Sequence, residues 1–140
     1  MNAKSFLDTN VIVYAFDQAS PKKAKVAQRL IAEGVAEKQA MVSYQVVQEF
    51  VNVALRGFRV SITRADLEEF LSTALFPIAA ISWSPVLTMQ GLRMQAAHQF
   101  AWYDSLIIAA ALEGGCKVLY SEDLQHGQHF GDLVVENPFR

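Results

Sequence analysis

Four carboxylates stand where a short apolar run ends or where a helix begins. Asp8 closes Phe6-Leu7-Asp8-Thr9-Asn10, and Asp123 closes Leu119-Tyr120-Ser121-Glu122-Asp123. Asp104 opens a helical stretch in Trp102-Tyr103-Asp104-Ser105, and Glu49 lies in the first turns of the helix that follows Met41-Val42. Gathered at one edge, such groups oppose each other's ionisation and call for a cation. Mg²⁺ is the expected ion and Mn²⁺ also fits, because both take oxygen ligands in octahedral geometry and retain waters. That arrangement can activate a water for in-line attack on a phosphodiester and stabilise the leaving oxygen. Thr9, Asn10 and Ser121 are short polar neighbours suited to orienting a carboxylate or a bound water. Each acid also has a purely structural alternative: Asp8 as a turn or cap, Asp104 as a helix cap, Glu49 as a solvated helix face, and Glu122-Asp123 as a solvated turn.

The elements that must position these acids are legible from punctuation and periodicity. Ser20-Pro21 predicts a helix over Lys22 to Glu33, stopped by Gly34. Ser43 precedes Val46, Val47, Phe50, Val51, Ala54 and Leu55, an amphipathic helix ending near Gly57. Thr63 with Asp66 opens a stripe of Leu67, Phe70, Leu71 and Leu75. Ser84-Pro85 starts a helix toward His98, and a last one runs from about Tyr103 to Gly114-Gly115. Short apolar runs lie between them: Ser5 to Leu7, Met41-Val42, Ile78 to Ile81, Val118 to Tyr120 and Leu133 to Val135. Strands alternating with helices predict an α/β three-layer sandwich around a central parallel sheet. Ligands bind beyond the carboxyl ends of such strands, where Asp8 and Asp123 fall. Gln125 to Gly131 reads as a loop.

Length and composition bound the remainder. The chain of 140 residues, with 52% hydrophobic and 19% charged residues, is sized for one compact domain spanning 1–140. A net charge of -2 speaks against a broad basic surface for wrapping duplex DNA, although Lys22, Lys23, Lys25 and Arg29 form a local basic cluster. The longest apolar stretches fall far short of the ~20 residues of a membrane span. Met1-Asn2-Ala3-Lys4 leads into the first strand without an apolar leader, so a cytoplasmic location and no membrane contact are expected. The single Cys116 reads as a buried structural thiol. His126 and His129 have a metal-like spacing but a polar loop context, and read as surface residues. Trp102 and Tyr103 lead into an apolar helix and read as core before they read as stacking platforms for bases.

Phe6-Leu7-Asp8-Thr9-Asn10-Val11 resembles the opening motif of PIN domains. Glu49 stands where their helix-borne acid does, Tyr103-Asp104-Ser105-Leu106-Ile107-Ile108-Ala109-Ala110-Ala111 resembles their third acidic motif, and Ser121-Glu122-Asp123-Leu124 their fourth. The order and spacing match from Ser5 to Glu136. The chain is similar to the VapC-type toxins of that family. The resemblance implies a Mg²⁺-dependent endoribonuclease, the toxin of a toxin–antitoxin pair, acting on tRNA or ribosomal RNA and forming a homodimer. It also implies a cognate antitoxin that covers the acidic site. By residue, it makes Asp8 and Asp104 the principal metal ligands, with Glu49 and Asp123 completing the cluster; spacing from Ser121 favours Asp123 over Glu122. Two other readings stand beside it: a structure-specific DNA nuclease, and a non-catalytic PIN-like binding module.

Overall fold

The computed structural model describes residues 4–140, so the reading of Met1 to Ala3 as leader-free lies outside the described residues. Six strands form one sheet in the order β3-β2-β1-β4-β6-β5, with β1 at Ser5–Leu7, β2 at Ala40–Ser43, β3 at Ala79–Ile81, β4 at Val118–Tyr120, β5 at His129–Phe130 and β6 at Leu133–Glu136. All neighbours pair in parallel except β5, which turns back antiparallel on β6. The sheet is therefore mixed at one edge. The stretch expected to be a loop contains β5, whose two residues are too few to carry an alternating pattern.

Successive strand residues point to opposite faces, yet Phe6 and Leu7 are both fully buried, as are Val42 and Ser43. A strand hidden on both sides needs helices on both sides, which gives the three layers. The helices are α1 (Thr9–Tyr14), α2 (Pro21–Glu37), α3 (Tyr44–Arg56), α4 (Arg64–Phe70), α5 (Phe76–Ile78), α6 (Pro85–His98) and α7 (Trp102–Glu113), with a π-helical turn, Leu71–Leu75, joining α4 to α5. None is long and apolar enough to cross a membrane among the described residues.

Three local expectations are corrected. Gly34 lies inside α2, which runs on to Glu37 and ends at Lys38 in the left-handed region. Its role is close approach: a Cβ there would stand 2.3 Å from the Cβ of Ala40 on β2. Ser20 occupies the N-cap position of α2 but its side chain makes no capping bond, leaving Pro21 as the start signal. Ile78 belongs to α5, so β3 begins at Ala79. Elsewhere the caps act as read: Ser43, Thr63 and Ser84 accept from Val46, Asp66 and Leu87 N–H groups. Cys116 is buried, and burial pushes its thiol up to about 11, which keeps it protonated and unreactive near neutrality.

Candidate metal and nucleic-acid site

Asp8 follows β1 directly and caps α1, one carboxylate oxygen accepting from the Thr9 N–H at 2.7 Å. Its other oxygen accepts from the Ser121 hydroxyl at 2.8 Å, at the end of β4. Strands β1 and β4 are parallel neighbours, so their carboxyl ends coincide and the two loops meet. Both oxygens of Asp8 are thus hydrogen-bonded, one within the cap of α1 and one from the end of β4. Thr9 is buried and its hydroxyl donates to Glu49 Oε1 at 2.7 Å, tying α1 to α3. Asn10 donates its amide to Asp123 Oδ2. Ser121 also accepts from the Leu124 N–H, so it both caps the turn and orients Asp8.

Asp104 lies in the first turn of α7, whose N-cap is Ala101. It is therefore not the capping residue. Among the described residues no side chain or N–H is hydrogen-bonded to its carboxylate. Burial raises its pKa above the usual carboxylate range, and the charges of Asp123 and Glu49 raise it further. Asp8 is pushed up to about 6, chiefly by burial and less by Asp123 and Glu49, against the lowering effect of its bonds from Ser121 and Thr9.

Asp8, Glu49, Asp104 and Asp123 line one cleft of about 240 Å³, together with Thr9 and Asn10. A wider hollow of about 680 Å³ over Phe16 and Phe70 contains Asp66 and Glu69 but none of these four. Glu122 does not line the acidic cleft. Lys23 holds it at 2.6 Å and the Tyr14 hydroxyl donates to it at 2.7 Å, so its pKa is lowered, first by the bond from Lys23. Lys23, drawn from the expected basic cluster, is thereby spent on Glu122. His126 and His129 are exposed and lie outside the cleft.

No lysine or arginine lines the cleft. Among the described residues no cationic side chain lines it to balance its negative charge, and its donor set of carboxylate, hydroxyl and amide oxygens suits a hard divalent ion. Among the described residues no three acids, histidines or cysteines stand close enough to ligate one ion together. The fit is to an ion that keeps most of its waters and takes one or two carboxylates directly, as Mg²⁺ commonly does.

Gln45, Asn52, Val53 and Ile107, not singled out in the sequence, also line the cleft, as does Tyr103. Gln45, Glu49 and Asn52 fall at i, i+4 and i+7 on α3, so one helical face signals all three. Gln45 donates to Glu49 Oε1 at 3.3 Å and to the Tyr103 carbonyl at 3.2 Å. Tyr103, expected in the core, is 62% exposed at the rim; Trp102 beside it is half-buried.

The sequence pattern described as the PIN domain matches residues 5–128. No curated protein sequence matches the chain. Among solved structures, the fold is similar to the sarcin–ricin loop cleaving toxin VapC20 of Mycobacterium tuberculosis, with a TM-score of 0.64, 18% identity, and 86% of this chain and 90% of that one covered. It is similar to a toxin–antitoxin complex from Klebsiella pneumoniae, with a TM-score of 0.65, 16% identity and coverage of 96% and 98%. It is also similar to VapBC2 from Rickettsia felis bound to a promoter DNA fragment, with a TM-score of 0.63, 18% identity and coverage of 94% and 96%.

Proposed function

Because the chain belongs to the PIN domain family, we propose that it is a Mg²⁺-dependent endoribonuclease, a single-domain cytoplasmic toxin held inactive by a cognate antitoxin. The observation that carries this reading is the convergence of Asp8, Glu49, Asp104 and Asp123 on one cleft with no basic residue in it. Mn²⁺ would serve the same donor set.

Asp8 and Asp104 would be the principal ligands of the ion in this reading, with Glu49 and Asp123 completing the acidic cluster that would hold it. When bound, the ion supplies positive charge for the phosphate and lowers the pKa of a water. The chain's own residues do the positioning. Ser121 and the Thr9 N–H fix both oxygens of Asp8, Thr9 and Gln45 fix Oε1 of Glu49, and Asn10 fixes Asp123. Asp104, with no donor on it, keeps its oxygens for the ion or for the proton released by the attacking water. Water oxygen bonds to phosphorus as the bond to the leaving ribose oxygen breaks, and that oxygen takes a proton from solvent to leave as a hydroxyl.

The toxin–antitoxin assignment draws on the similar structures, which are a toxin and toxin–antitoxin complexes. tRNA or ribosomal RNA is the proposed substrate class. Homodimerisation belongs to the same reading: Trp83, Val86, Met89 and Leu92 expose apolar side chains, and the last three recur on one face of α6. Helix α3 also exposes Tyr44 and Leu55, whereas α4 exposes no large apolar side chain. A sedimentation experiment that found only monomer at high concentration would remove the dimer without touching the nuclease.

The test of the activity is cleavage of matched single-stranded RNA and DNA with Mg²⁺, with Mn²⁺ and with chelator. RNA cleavage that requires the ion is expected. Preferential DNA cleavage would replace the substrate class, and RNA binding without cleavage under any ion would make the chain a binding module.

A further inference from the structure

A second hollow, of about 400 Å³, opens directly from the acidic cleft and shares Gln45, Glu49, Asn52 and Tyr103 with it. Its size lies in the range of small-ligand pockets. Its other walls are Tyr44, Gln48 and Leu106. Tyr44 and Tyr103 are 59% and 62% exposed, so two aromatic rings at the walls of this hollow are open to a stacking partner. Gln45 has its amide nitrogen committed as donor to Glu49 and to the Tyr103 carbonyl, which leaves its oxygen as the group that can accept from a ligand. Gln48 and Asn52 are exposed, and among the described residues neither side chain is hydrogen-bonded. The hollow therefore combines aromatic faces with amide donors and acceptors, and its one charge is the Glu49 it shares with the cleft.

Phosphate has no reason to enter such a surface, because nothing there is positive. A neutral flat heterocycle with donors and acceptors on its edge does. We propose that this hollow binds the nucleobase next to the phosphate held in the acidic cleft, Tyr44 and Tyr103 supplying stacking surface and Gln48 and Asn52 reading the base edge. The inference rests on the nuclease reading above and adds a base-selecting subsite to it. Stacking gives affinity for any base and the amides discriminate among them, so sequence preference at one position beside the cut follows.

The test uses one RNA that the wild-type chain cleaves with Mg²⁺, together with copies carrying a single abasic nucleotide at each position around the cut. At one flanking position the abasic copy is expected to be cut roughly tenfold to a hundredfold more slowly by wild type. Tyr103→Ala and Tyr44→Ala, with unchanged thermal melts, lose a similar factor on the intact RNA and lose nothing more on that abasic copy, while Tyr103→Phe retains cleavage. The loss falls on KM more than on kcat. Gln48→Ala and Asn52→Ala flatten the base preference at the same position. Equal cleavage of every abasic copy by wild type would overturn the subsite while leaving the nuclease intact, and so would tyrosine and abasic effects that multiply in full. Tyrosine variants that cleave normally but lose self-association or antitoxin binding would overturn it in favour of a protein interface. A wild-type chain that cuts no RNA would remove the nuclease reading and the subsite with it.

Discussion

The Ser121 hydroxyl donates to Asp8 Oδ2 at 2.8 Å, joining two buried residues 113 positions apart in the chain. The bond stabilises the ionised form of a carboxyl whose pKa burial raises, and with the bond in place that pKa stands at about 6. Ser121→Ala is expected to raise the Asp8 pKa further and to move the acidic limb of the pH–cleavage profile upward. The accompanying loss of folding stability, about 1–3 kcal/mol for a hydrogen bond to a charged group, grows with pH, since only the ionised carboxylate needs the donor. An acidic limb that stays in place would show that Asp8 does not govern cleavage.

Asp8 also sets how stability and metal binding share the pH axis. Its folded pKa, about 6, lies above the ordinary value of 3.8. Protonated Asp8 therefore lends stability that is fully present below about 3.8 and is lost as pH rises through about 6. A shift of this size corresponds to roughly 3 kcal/mol at most. In the proposed reading a divalent ion would take the proton's place above that range. Thermal melts are expected to show a Mg²⁺-dependent gain of several degrees at pH 7.5 and almost none at pH 4.5. Asp8→Asn removes the difference. A Mg²⁺ gain of equal size at both pH values would exclude Asp8 as a ligand.

Asp104→Asn separates site from scaffold. Ala101, not Asp104, is the N-cap of α7, and burial together with the Asp123 and Glu49 charges disfavours the Asp104 anion. Without metal, the variant is expected to melt at or above the wild-type temperature, because one like charge leaves the cleft. RNA cleavage is expected to fall by about a hundredfold or more, as the ion and its attacking water lose a direct ligand. Retained cleavage with a lower melting temperature would make Asp104 a structural residue.

How much of this was legible in the sequence depended on whether a residue's role left a periodic or capping trace. Ser43, Thr63 and Ser84 announced their helices because each side chain bonds the third residue on. Helix α1 announced nothing: Val11, Ile12 and Val13 are all fully buried in succession, and six residues are too few for the helical period to show. Gly34 read as a stop because a glycine's signature is the same whether it ends a helix or lets another chain segment approach. Only the 2.3 Å separation from Ala40 distinguishes the two. The acids were visible as residues at strand ends, and their meeting followed from parallel pairing. Tyr103 was misread as core because nothing in an apolar-looking helix start says which side chain faces out.

Adjacent acids at 122 and 123 have different surroundings, and this predicts different tolerances. Glu122 is bound to Lys23 and Tyr14, whereas Asp123 lines the cleft and is held by Asn10. Asp123→Asn is expected to lower cleavage about tenfold or more with little effect on folding. Glu122→Gln is expected to leave the cleavage rate within about threefold of wild type and to cost up to about 1 kcal/mol of stability, as for a partly exposed ion pair. Steady-state cleavage and melting of both variants check this, and the reverse ranking would place Glu122 at the ion.

The ends of the sheet have a consequence for how copies of this chain can meet. At one edge β5 offers two residues, and at the other β3 offers three that pair with a register shift between Val42 and Ser43. Neither offers the long flat row of free N–H and C=O groups on which a further strand could be templated. Copies accumulating in a confined volume cannot zip edge to edge into a continuous ribbon. Any association has to be made by side chains on helical faces, where a few substitutions can create or abolish it without disturbing the sheet that carries the acids.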